Sequence, residues 1–310
     1  MFRVSCFGFF PEPCFGVIVY GDPGRLTTAP TGALDGSGWQ YEGQWGSFTG
    51  TPIAPNYFIT ASHVGGNVGQ SFQFEGQSYT TTAYYDDPNS DLRIWKVDET
   101  FPIYAPMATK HDAGKKAVIF GRGTDRGDPV TVKNKLRGWQ WGATDSSLSW
   151  GINKVTVARH VAGNNLLQLK FNGNKRNPDE GAISEGDSGG GVFVKIHKVW
   201  TLVGVNYSAT DPYSFDSNYA DAFSASLTNA SHLFTFTSTD QAIWIRSHQP
   251  SIGYATRVSS EMQWINSVLN GSGALDVSQS VYTGDVPEPA AAVLALGILG
   301  FAFPRRKRRV

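Results

Sequence analysis

Glu185-Gly186-Asp187-Ser188-Gly189-Gly190-Gly191 is the stretch around which the rest of the chain is read. Glycines on both sides of a serine let the backbone turn sharply and leave its hydroxyl exposed. The same turn points the N–H groups of Gly186 and Ser188 at one spot, where the negative oxygen of a tetrahedral acyl intermediate can sit. Ser188 is therefore a candidate nucleophile, although Gly/Asp/Ser clusters are also ordinary turn chemistry.

A serine hydroxyl attacks poorly until a base removes its proton. His63 fits that role, because it ends Thr51-Pro52-Ile53-Ala54-Pro55-Asn56-Tyr57-Phe58-Ile59-Thr60-Ala61-Ser62-His63. The turn signal Pro55-Asn56 precedes a β-branched and aromatic run that reads as a buried strand, with the histidine at its exit. His111, His160, His197, His232 and His248 lack such a lead-in and read as surface or partly buried rings. The base needs a carboxylate to fix its tautomer and stabilise the imidazolium. Asp91 is the candidate, opening the alternating strand Asp91-Leu92-Arg93-Ile94-Trp95-Lys96-Val97. Asp86 and Asp87, inside the preceding turn, are expected to be solvated.

These segments carry a resemblance. Ile59-Thr60-Ala61-Ser62-His63-Val64 is similar to the strand-end TAAH motif of the trypsin/chymotrypsin-like serine peptidases, and the Asp91–Val97 strand resembles their D-I-A-L-(I/V)-(K/R)-L strand. Gly186-Asp187-Ser188-Gly189-Gly190 is identical to their nucleophile motif, and the three occur in the family's order of His, Asp, Ser. Gly253-Tyr254-Ala255-Thr256-Arg257-Val258 and Ser260–Ile265 resemble the family's last strand and closing helix, so the likeness covers roughly residues 40 to 270.

The resemblance implies an all-β fold of two six-stranded antiparallel barrels with a short C-terminal helix. Within a domain spanning 22–270, the expected parts are a first barrel at about 40–125, a second at about 126–258 and the helix at about 259–269. It also implies that Ser188 attacks the scissile carbonyl of a protein or peptide, His63 shuttles the proton, Asp91 orients His63, and the amides of Gly186 and Ser188 form the oxyanion hole. No cofactor is implied. The residue six before the nucleophile, Ala182, takes the place of the floor of the pocket for the substrate side chain on the amino side of the cut (P1). It brings no carboxylate for Arg or Lys, which favours a small or apolar P1, although Asp179, Glu180 and Glu185 lie near. Tyr207 and Ser208 take the places of residues that pair with substrate backbone, and Gly253 that of the opposite pocket wall.

Two departures stand out. Animal members insert a cleaved Ile-Val-Gly-Gly terminus onto the aspartate before the nucleophile, here Asp187, and no such segment is visible at a suitable position. Asp187 is then expected to take another donor, a nearby side chain or amide, because an unpaired buried carboxylate is costly. Second, Ala209 to Ile252 is a long stretch where the family more often has a short loop; it reads either as a rim element of the cleft or as an extra surface hairpin.

Composition agrees with this class: 35 Gly, 13% aromatics and few long helical patterns suit a turn-rich β architecture. Strand-like runs recur at Val118–Phe120, Val130–Val132, Lys154–Val157, Leu166–Leu169 and Val192–Val194. The chain balances 26 Lys and Arg against 26 Asp and Glu, but without Arg305, Arg306, Lys307, Arg308 and Arg309 the count is 21 against 26. A mildly acidic body argues against a nucleic-acid partner. Arg126-Gly127-Asp128 is assigned to a solvated loop. No spaced ligand cluster of a metal site appears.

At the carboxyl end, a polar linker at 271–286 leads to Pro287-Glu288-Pro289, an apolar run from Ala290 to Phe303, and the basic cluster. As a helix the run spans roughly 21 Å, short of a hydrocarbon core of about 30 Å. Residues 287–310 resemble the PEP-CTERM sorting tail of exported proteins in Gram-negative bacteria. That likeness implies a sorting enzyme as partner, membrane contact through the tail before processing, and a location at the cell envelope or outside. Residues 1–21 read as an atypical signal segment, interrupted by Pro11-Glu12-Pro13 and holding the two cysteines, Cys6 and Cys14. Two function classes follow: an exported endopeptidase, or a catalytically silent barrel that binds peptides or matrix polymers in the same cleft.

Overall fold

The computed structural model describes residues 16–21, 26–110, 112–158, 166–173, 176–237 and 239–271. The linker, the Pro287-Glu288-Pro289 tail and both cysteines lie outside the described residues.

Two closed antiparallel barrels of six strands each form the body. The first uses Gly43–Trp45, Phe48–Ala54, Tyr57–Ala61, Ser71–Phe74, Gln77–Asp86 and Leu92–Val97. Its interior is aromatic, because alternate residues of short strands converge on one axis. Phe58 stacks on Phe72 at 4.0 Å, and Trp45 packs on Trp95 at 4.7 Å. The second barrel uses Lys116–Gly121, Ser149–Ala158, Leu166–Lys170, Gly191–Ile196, Val199–Ala209 and Ile252–Arg257, with Val118, Leu167, Phe193 and Val203 fully buried. A 3-10 turn and the helix Met262–Leu269 close the body, burying Ile265 and Val268.

The seam between the barrels is continuous apolar packing. Ile59, Ala61 and Ile94 of the first barrel belong to one cluster with Phe120, Val192 and Leu202 of the second. Trp39 and Tyr41 bridge it, resting on Phe120 and Phe193.

Three boundaries differ from those expected. The second barrel starts at Lys116, within the range assigned to the first, because Lys116–Gly121 pairs with Ser149–Lys154 and Val192–Val194. Val130–Val132 is a strand but not a barrel strand: Arg126–Val132 and Lys135–Trp141 form a hairpin outside the wall, onto which Ala225–Leu227 pairs. Arg126 accordingly sits in a strand, its guanidinium 4.5 Å from the Trp139 ring, not in a solvated loop. The leading segment does not end at residue 21 as a unit: Ile18–Val19 pairs with Gly181–Ala182, and Val17, Ile18 and Val19 are buried.

The stretch from Ala209 to Ile252 is more than a surface hairpin. Tyr213–Ser214, Phe234–Phe236 and Ala242–Trp244 make a three-stranded sheet. Tyr213, Ala225, Leu227, Leu233 and Ile245 then bury against Val130 and Val132 of the hairpin, giving this outlying part a small core of its own.

Candidate active site

His63 and Asp91 meet because their strands are neighbours. Tyr57–Ala61 runs antiparallel to Leu92–Val97 with Ala61 opposite Leu92, so the residues just beyond each pair lie at the same barrel end. The Ser62 N–H donates to the Asp91 carbonyl at 3.1 Å, and Ser62–Val64 forms a 3-10 turn that swings His63 toward the seam. One carboxylate oxygen of Asp91 accepts from Ser62 Oγ at 2.8 Å and the His63 N–H at 3.0 Å. The other lies 2.6 Å from His63 Nδ1. With both oxygens engaged, the carboxylate cannot swing away from the ring.

Ser188 comes from the second barrel, just before the strand Gly191–Ile196, and its Oγ lies 2.8 Å from His63 Nε2. Gly186 has φ +86, a conformation that L side chains rarely adopt. Gly190 packs against the Phe120 carbonyl, and a Cβ there would lie 2.0 Å from that oxygen. Along this turn the N–H groups of Asp187, Gly189, Gly190 and Gly191 donate to Ser184, Asn206, Asp187 and Glu42. No acceptor for the N–H of Gly186 or Ser188 is found among the described residues. The two amides expected at the oxyanion position are thus the ones left uncommitted.

Three buried polar residues hold this turn, two of which, Asn206 and Glu42, carry no local mark of that role in the sequence. Asn206 interrupts the apolar run Leu202–Tyr207; its Nδ2 donates to the carbonyls of Phe120 at 2.7 Å and Asp187 at 3.1 Å. Glu42 precedes the first strand and accepts the Gly191 N–H at 3.2 Å and Thr51 Oγ1 at 3.4 Å. Burial pushes its carboxyl up to about 8, against the Gly191 and Thr51 hydrogen bonds and the charge of Arg122. Asp187 is fully buried and does take amide and hydroxyl donors: Ser184 N–H at 2.8 Å, Gly123 N–H at 2.9 Å, Val17 N–H at 3.1 Å and Ser184 Oγ at 3.1 Å. Burial raises it to about 6, with those donors pulling the other way. One of these amides, that of Val17, comes from the amino-terminal side of the chain, although no Ile-Val-Gly-Gly segment is present there.

Of the residues expected to bind substrate, Ala182 is buried and paired with Ile18. Gly253 faces Ile183, whose Cδ1 would lie 2.9 Å from a Cβ added at Gly253. The Tyr207 ring stands edge-on to His63 at 6.0 Å, and burial, then the Asp91 charge, raises its hydroxyl above the usual tyrosine range. Ser208 is level with Tyr254 across the strand pair. Asp211, also buried, accepts from Ser224 Oγ at 2.8 Å; burial lifts it to about 6, with the Ser224 bond opposing and the Glu185 charge adding.

Asp86 forms a half-exposed pair with Arg93, but Asp87 is buried and caps its own turn through the Asn89 N–H and Ser90 Oγ. Asp87 is therefore not solvated. His197 and His248 are exposed, and His232 contacts Lys133 and Trp244; His111 and His160 lie outside the described residues. Among the described residues, no group of three His, Cys, Asp or Glu side chains is placed to hold a metal ion. Neither a scan of protein-family models nor a search of curated proteins found a match to this chain.

Proposed function

We propose that this protein is a serine endopeptidase of the trypsin/chymotrypsin-like type, hydrolysing peptide bonds through an acyl-enzyme. The observation that carries the reading is the unbroken path from Asp91 through His63 to Ser188, with links of 2.6 and 2.8 Å. In the proposed cycle, Ser188 Oγ attacks the substrate carbonyl while His63 Nε2 takes its proton. Asp91, fixed by Ser62 and the His63 amide, holds the imidazole with Nδ1 protonated and stabilises the imidazolium. The carbonyl oxygen, now negative, sits between the uncommitted N–H groups of Gly186 and Ser188. His63 then protonates the leaving amine, the acyl group stays on Ser188, and water activated by the same imidazole releases it.

For the substrate, we propose a small or apolar P1 residue. Ala182 contributes no charge, and Ile183 Cδ1 lies 2.9 Å from where a Cβ on Gly253 would sit, which supports a shallow, apolar pocket. Tyr207 and Ser208 are the proposed partners of substrate backbone, with Tyr207 also shielding the His63–Asp91 pair from water. The sorting role of Pro287-Glu288-Pro289, export to the cell envelope and a transient membrane contact belong to the same proposal; they rest on the sequence alone.

Digestion of a denatured protein mixture, read by mass spectrometry of new termini, tests the reading. New ends following Ala, Val, Ser or similar residues are expected, absent with Ser188→Ala. A digest in which parent and variant are alike, both folded, would leave the cleft a binding site only.

A further inference from the structure

The outer wall of the second barrel carries a row of lysines across neighbouring strands. Lys154 stands directly opposite Lys116. Lys195 follows on the third strand, one rung past the Val194–Ala117 pair, and is itself opposite Trp200. The three lysines are exposed while their chain neighbours Val155, Ala117 and Val194 are fully buried, so by two-residue alternation the row faces solvent. Among the described residues none of the three pairs with a carboxylate. Like charges directly opposite on a sheet repel, so this wall is left electrostatically unfavourable without a counter-charge. Beside the row lies a hollow of about 370 Å³, lined by Lys115, Lys116 and Lys195 with Ala33, Leu34 and Trp200. Lys195 Nζ lies 5.5 Å from the Trp200 ring centroid, capping one side of it.

We propose that this row and hollow bind an acidic polypeptide segment, with its carboxylates along the lysines and an apolar side chain in the hollow. Charge comes first: without the terminal basic cluster the chain has 21 bases against 26 acids, so an unpaired cationic row is a local exception that steers an anionic partner to one place. Dimensions agree. Adjacent strands lie about 4.8 Å apart, so the three lysines span roughly 10 Å, the distance covered by about three residues of extended chain. Lysine ammonium groups are compact point charges that suit single carboxylates on a mobile segment. The barrel is closed, so this wall offers no free strand edge and recognition runs through side chains. The apolar lining from Leu34, Ala33 and Trp200 favours a peptide, because a polyuronate chain or a lipid headgroup layer presents no side chain to fill it. None of these residues belongs to the proposed catalytic site, so the inference stands apart from it.

The test uses the full chain with Ser188→Ala, so that a bound peptide is not cut, and a fluorescent twelve-residue peptide alternating Glu and Leu. Anisotropy titration at low salt is compared for this parent, a row variant (Lys116→Gln, Lys154→Gln, Lys195→Gln) and a control of equal charge (Lys96→Gln, Lys110→Gln, Lys135→Gln). Expected are a loss of at least ten-fold for the row variant, under two-fold for the control, and several-fold weaker binding of an all-Glu peptide. The row variant should melt no lower than the parent, since its substitutions relieve repulsion. Equal losses in both variants, no binding by the parent, or tighter binding of polyglucuronate or phosphatidylglycerol vesicles than of the peptide would overturn the proposal.

Discussion

The carboxylate of Asp187 accepts the backbone N–H of Val17 at 3.1 Å, linking the residue beside Ser188 to a segment 170 positions upstream. That bond, with those from Gly123 and Ser184, fixes the turn on which Gly186 and Ser188 present their amides. Asp187→Ala leaves these buried donors without an acceptor. The expected cost is about 3 kcal/mol or more of stability, and about 100-fold in kcat as the turn relaxes. Denaturant melts and steady-state kinetics check the two halves. A chain begun at Val17 would present an ammonium in place of the amide and make the bond charge-assisted. It is expected to be more active at pH 7 than a chain with residues before Val17.

Buried carboxyls set the pH dependence. Glu42 is pushed up to about 8, Glu261, just before the closing helix and beside Asp87, to about 7, and Asp187 and Asp211 to about 6, in each case chiefly by burial. A carboxyl raised in the folded state contributes stability fully below its unfolded value, about pH 4, and loses it as pH rises through the folded value. The melting temperature should therefore fall from about pH 4 to about pH 8. Glu42→Gln keeps an acceptor for the Gly191 N–H and should flatten the upper part of that fall, at about 2–4 °C per kcal/mol recovered. A profile unchanged by Glu42→Gln would show that this carboxyl is ionised without cost.

Ile183 is expected to set the pocket depth. Its side chain fills the space over Gly253, so Ile183→Ala should extend cleavage to Leu, Met and Phe at P1 by roughly ten-fold or more relative to Ala, in keeping with about 1–3 kcal/mol per methylene-sized difference. Peptide libraries read this directly. Preferred cleavage after Arg or Lys by the parent would contradict an apolar pocket.

Asp112 and Arg257 fasten the last barrel strand. The guanidinium donates to both carboxylate oxygens at 2.8 Å, and Ser259 Oγ donates to one of them. Burial would raise the Asp112 carboxyl, but the Arg257 and Ser259 bonds outweigh it and hold it below the usual range. Its contribution is accordingly present above the unfolded value and lost at more acid pH, opposite in sign to that of Glu42. Arg257→Ala strands a buried carboxylate and should cost about 3–5 kcal/mol. The double variant with Asp112→Asn should recover part of the loss.

The candidate site is legible where local signals carry it. A strand run ending in His63, a turn before Asp91 and glycines flanking Ser188 each write their own geometry, and barrel closure then brings them within hydrogen-bond reach. What escaped was set by tertiary context. Val17–Val19 read as part of an apolar leader because a targeting segment and a buried strand share one hydrophobic signal. Glu42 sits among Tyr41 and Gly43 with nothing local to mark a carboxyl buried under the Ser188 turn. The sheet within Ala209–Ile252 uses strands of two or three residues, too short for any periodicity to register.

The most direct test of the central claim is covalent capture of the nucleophile. Purified protein is treated with a fluorophosphonate at pH 7.5 and the adduct mapped by peptide mass spectrometry, beside His63→Ala and Ser188→Ala. A single adduct on Ser188, slowed about a thousand-fold or more in His63→Ala, is the predicted result. A folded parent chain with an open cleft that takes up no label, or labels equally fast without the imidazole, would contradict it.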